Sequence, residues 1–133
     1  TANTQHEMAN KAIRISADEK TLFYSGDGRP TTASQSLMKD VDMAFQECAS
    51  FEALSNDSSH GDLPGCERLL VDTGAKALGI YYCFDEAIPS LLQAVRDIPD
   101  MFLSRDGLQL DLEDIELSRH VFDSLSAGQG GKL

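Results

Sequence analysis

Asp72 is the residue whose setting most suggests chemistry. It stands in the stretch LLVDTGA, Leu69 to Ala75, between an apolar lead-in and Thr73–Gly74, where a carboxylate could move protons. His60 and Cys66 flank GDLPG, and with His120 and an aspartate they supply the types needed for a nucleophile and its base, although no spacing demands that assembly. The series Asp106, Asp111, Glu113, Asp114 and Glu116 gathers carboxylates without the alternating oxygen ligands and central glycine of a calcium loop. There is no Cys-x-x-Cys and no His-x-x-x-His, so neither a metal nor a cofactor is expected. SGDGRP, Ser25 to Pro30, lacks the Gly-Lys-Ser/Thr ending of a phosphate loop and reads as a turn or linker.

The longer stretch LLVDTGAKALGI resembles the aspartic protease signature at Asp72, Thr73, Gly74, Ala75, Leu78 and Ile80, and departs from it at Lys76. That resemblance implies a catalytic set of Asp72, Thr73 and Gly74 in a homodimer, because two such aspartates must share a proton. It also implies a chain built almost wholly of β-structure, with a flap hairpin after the aspartate. The residues after it include EAIPSLLQAVRDIP, a helical pattern. In the alternative reading Asp72 is an exposed helix residue beside a close crossing permitted by Gly74 and Gly79. A second stretch, FDSLSAG, resembles the phosphopantetheine site of acyl carrier proteins at Ser124, but this serine falls at the end of a helical pattern where the carrier's begins one.

The elements that would position these residues read as mainly helical. Thr32 and Gln35 have capping-box spacing, and Leu37, Val41, Phe45 and Cys48 follow at helical intervals, which predicts a helix to about Leu54. After a loop, Asp62 and Pro64 open a second helix, with Cys66, Leu70, Thr73, Ala77, Tyr81 and Phe84 on one face. Ile88, Leu91, Leu92, Val95 and Ile98 mark a third, closed by Pro99. LQLDL alternates like a short strand, and LEDIELSRHVFDSL spaces Leu112, Ile115, Phe122 and Leu125 as a last helix. The expected architecture is a compact bundle of about four helices with a small N-terminal β-hairpin over Ala12–Ser16 and Thr21–Tyr24. One domain over residues 1–133 is expected, with residues 1–11 and 127–133 as flexible ends.

Composition narrows the function classes. The net charge of −11, from 22 acidic and 11 basic residues, repels phosphate backbones and anionic lipids, so direct nucleic-acid binding is disfavoured. The most apolar run, Ala77 to Phe84, is far short of the roughly 20 residues that cross a bilayer. Three widely spaced cysteines among apolar neighbours fit reduced thiols in a cytoplasmic protein. Two surfaces suggest binding of a protein partner with a basic surface: the carboxylates Asp111, Glu113, Asp114 and Glu116, and the adjacent Tyr81 and Tyr82, which cannot both be buried on one helix. The sequence therefore favours a non-catalytic regulator, inhibitor, immunity-type protein or chaperone, with the homodimeric protease as the alternative.

Overall fold

A computed structural model describes residues 1–112 of the chain. It holds a six-stranded sheet: β1 (Ala2–Asn3), β2 (Lys11–Ala17), β3 (Lys20–Tyr24), β4 (Met43–Glu47), β5 (Leu78–Tyr81) and β6 (Met101–Leu103). Three helices stand among the described residues, α1 (Thr32–Met38), α2 (Leu63–Thr73) and α3 (Ile88–Ala94). The helical bundle expected from the spacing is thus replaced by a mixed α/β fold. The expected last helix lies outside the described residues.

The first three strands are antiparallel and the last four run parallel, in the spatial order β1 to β6. β2 and β3 occupy the segments read as a hairpin. They close over Asp18 and Glu19, whose φ values of 49 and 64 suit a two-residue turn matched to strand twist. Residues 1–11, expected as a loose arm, supply β1 and a bridge between Gln5 and Arg29.

Each helix lies between two parallel strands, and each such crossover advances the sheet by one strand in the same direction. A common crossover hand then lays all three helices on one face. There Met38, Leu63, Cys66, Leu69 and Leu91 pack on Phe23, Ala44, Leu78, Ile80 and Met101. The other face carries Leu22, Met43, Phe45 and Phe102, which Leu108, Leu110 and Leu112 cover in part. The LQLDL segment therefore serves as an apolar cover and forms no strand.

Local chemistry explains the corrections. α1 is capped by Thr31 with Ser34, one residue earlier than the pair expected, and stops at Lys39 before Asp40, which takes φ 54. The chain then enters β4, whose Met43, Ala44, Gln46 and Glu47 are all buried. A parallel strand covered on both faces has no polar alternation, so its apolar residues imitated a helical stripe. α2 begins as expected, with the Asp62 side chain accepting from the Gly65 N–H and Pro64 in the first turn. It ends at Gly74, whose φ of 67 is a left-handed cap, and Leu78–Tyr81 turn into β5.

Candidate active site

The parallel strands β3, β4 and β5 end side by side at Tyr24, Glu47 and Tyr81. The loops that leave them, 25–31, 48–62 and 82–87, crowd one rim of the sheet. This is the end at which open α/β sheets place their ligands, because the connections there diverge.

Glu47 is the last residue of β4 and is fully buried. One carboxylate oxygen meets Nδ1 of His60, and the other accepts the backbone N–H of Gly28. A buried carboxylate without such partners would be strongly unfavourable, so the two donors are what permit it. Two glycines make the approach possible. Gly28 has φ 104, and a Cβ there would stand 2.6 Å from the Gln5 carbonyl oxygen; a Cβ on Gly61 would stand 2.4 Å from that of Glu47. Both positions exclude a side chain for reasons of space.

His60 is partly exposed, with 28% of its side chain open. Nδ1 is committed to the Glu47 carboxyl group, and Nε2 is the ring atom left for chemistry. The imidazole is surrounded by rings: Tyr82 stacks on it at 5.9 Å with planes 20° apart, and Phe84 and His6 meet it edge-on at 5.7 and 5.9 Å. The supporting loop is clamped by Arg29, which pairs with Asp62 at 2.7 Å and donates to the carbonyls of His60 and Ser55. Asp62 also caps α2 and accepts the Leu54 N–H, so one carboxylate ties loop, helix and guanidinium together.

Beside this pair, the Tyr81 hydroxyl donates to the Gly26 carbonyl and lies 2.9 Å from Ser25 Oγ, which in turn accepts the Glu47 N–H. Burial pushes the Tyr81 phenol up, well above its ordinary range, so it serves as a neutral strut. Tyr82 is different. It is 57% exposed and adopts φ 54, a left-handed conformation that costs a residue with a side chain on the order of 1 kcal/mol.

The residues singled out from sequence are dispersed. Asp72 is exposed near the end of α2, Thr73 is buried with its hydroxyl on the Leu69 carbonyl, and Gly74 is the helix cap. The LLVDTGA stretch is a helix terminus. Tyr81 and Tyr82 do reach the rim. Asp111 is exposed, while Glu113, Asp114 and Glu116 lie outside the described residues. Glu47, Gly28 and Gly61 were missed. The signal for Glu47 was a carboxylate directly after the apolar run Met43–Phe45 and Gln46, and for the loops the glycines flanking Asp27 and following His60.

No family model and no curated protein matches this sequence. Solved structures do match its fold. The metallo-beta-lactamase fold protein YhfI from Bacillus subtilis superposes with a TM-score of 0.69 at 16% identity, over 80% of this chain and 46% of that one. Human tRNase Z, short form, gives 0.65 at 12% identity over 83% and 40%, and a diphosphatase from the PhnP family gives 0.58 at 16% over 84% and 47%. The fold is therefore similar to the metallo-beta-lactamase fold, and the chain spans less than half the length of each of these three. The regulator, inhibitor, immunity-type and chaperone readings expected a small acidic helical protein without catalysis; the fold is instead mixed α/β and similar to those of a tRNase and a diphosphatase. The aspartic protease reading required an all-β dimer around Asp72, and it falls with the helix that Asp72 occupies.

The name of the fold implies a metal, and the donor set tests it. Among the described residues no group of three or more His, Cys, Asp and Glu side chains is placed to hold a metal ion. Both oxygens of Glu47 are already engaged. Cys66 is pushed well up by the neighbouring Cys48 thiol and by burial, and burial pushes Cys83 up to about 12, so both stay protonated. These residues do not fit a metal by themselves, and the chemistry they can perform is that of their own side chains.

Proposed function

We propose that this chain takes part in hydrolysis of a small phosphate ester or diphosphate, with His60 as the proton-transfer residue and Glu47 orienting it. The observation that carries this reading is the buried Glu47–His60 pair at the rim where three parallel strands end. The neighbours support the substrate class, since two of them are by name a tRNase and a diphosphatase. The net charge of −11 favours a short substrate over a long polyanion.

In hydrolysis a water oxygen forms a new bond to phosphorus while the bond to the leaving oxygen breaks. Protonated His60 gives its Nε2 proton to that departing oxygen, and the water loses one proton to solvent. Glu47 holds the ring in place through Nδ1, as a carboxylate behind a catalytic histidine does.

The test uses leaving groups of different basicity in the protein that carries this chain. His60→Ala is expected to slow hydrolysis of an alkyl phosphate ester by about 10²–10⁴-fold, the range for losing a positioned acid. The p-nitrophenyl ester, whose leaving group needs no proton, should slow far less. Equal losses with both esters, or none with either, overturn the reading.

A further inference from the structure

We infer that Tyr82 is a stacking platform for a nucleobase, so that the small phosphate compound received at this rim is a nucleotide. The inference deepens the hydrolytic reading of His60 and Glu47 and rests on it for the position of the phosphate. It is carried by the backbone of Tyr82, the rings beside it and the charges that border them.

Tyr82 leaves the end of β5 in the left-handed region, φ 54, and is 57% exposed. A ring that followed ordinary strand geometry would have no need of that conformation. Unfavourable backbone geometry held next to a reactive group is where a functional constraint is to be sought. The turn also brings the phenol ring parallel to His60, 5.9 Å from it.

The aromatic surface continues beyond Tyr82. Phe84 is 39% exposed and meets the same imidazole edge-on. Tyr82, His60 and Phe84 thus form an open row of rings beside the nitrogen that transfers the proton. A planar base can lie on such a row irrespective of its sequence identity, because every base presents a π-face.

The neighbouring charges point to the base end of a ligand. Exposed carboxylates Asp85 and Glu86 directly follow Phe84. They disfavour a phosphate at this end of the row and tolerate a neutral ring.

The experiment measures binding to the full chain by calorimetry with two probes, adenosine 5′-monophosphate and ribose 5-phosphate, which differ by the base alone. The nucleotide should bind more tightly. Tyr82→Phe should preserve the difference, and Tyr82→Ala should weaken the nucleotide by roughly five- to a hundredfold, the range for losing one stacked base, while leaving ribose 5-phosphate unchanged. Equal affinity of the two probes, absence of binding by both, or equal weakening of both in Tyr82→Ala overturns the platform. Circular dichroism of each variant separates loss of stacking from loss of fold. A base preference that persists when His60→Ala shows no leaving-group dependence retires the hydrolytic reading and keeps the platform, and the reverse pattern does the opposite.

Discussion

Asp42 shows how a single side chain on this scaffold becomes a pH-dependent contribution to stability. Its carboxylate accepts from Lys76 at 2.7 Å and from the N–H and hydroxyl of Thr21, joining the loop before β4 to β3. The Lys76 hydrogen bond, opposed by burial and helped by Thr21, holds its pKa at about 2, below the ordinary 3.8. A depressed value in the folded state means that ionised Asp42 favours folding above about pH 3.8, and that this contribution disappears as the pH falls through about 2. Asp42→Asn should therefore lower the urea midpoint near neutral pH and leave it close to that of the parent at about pH 2. A deficit of equal size at both values would assign the effect to hydrogen-bond geometry and not to charge. In sequence Asp42 falls within the segment read as a helix to about Leu54, which gives it no partner. Its partner Lys76 is 34 positions away, and no local pattern reports a contact of that range.

The hairpin β2–β3 is the element where local sequence and structure agree best, because polarity alternation and a polar tetrapeptide are both short-range signals. Its turn is nevertheless built from two residues that resist their conformation: Glu19 holds φ 64. Glu19→Gly removes the left-handed penalty and adds unfolded-state freedom, two opposing effects that leave a net gain of about 0.5 kcal/mol. A thermal or denaturant midpoint that falls would show that the Glu19 side chain makes a contact worth more than the strain. Elsewhere the element-level reading failed for identifiable causes. β4 and β5 are buried on both faces and so lack alternation, and Gly79 in β5 lies where a Cβ would come within 2.7 Å of Phe45 and Phe102. That glycine was read as a helix-crossing contact; it admits two aromatic rings to the face of a sheet. The start of α2 was more accessible, since Asp62 and Pro64 act within one turn of their own positions.

At the scale of the whole molecule, the helices cover one face of the sheet, and among the described residues Leu108, Leu110 and Leu112 pack on the opposite face. Among the described residues no helix is long and apolar enough to cross a membrane. The feature with the widest consequence is the order of the strands, which repeats the order of the chain from β1 to β6. Among the described residues, every strand from β2 onward joins the sheet beside the strand made just before it. As the polypeptide leaves the ribosome, at about 5–20 residues per second, the sheet can grow outward from the β2–β3 hairpin at one advancing edge. Pulse-labelling of backbone amides during refolding should accordingly protect β2 and β3 first, β4 next, and β6 last; simultaneous protection of all six strands would contradict growth from that hairpin. The Glu47–His60 pair and its Gly28 donor come from the loop after β3, from β4 and from the loop after β4, whereas Tyr82 follows β5. A nascent chain would therefore assemble the Glu47–His60 pair before the ring that stacks against it.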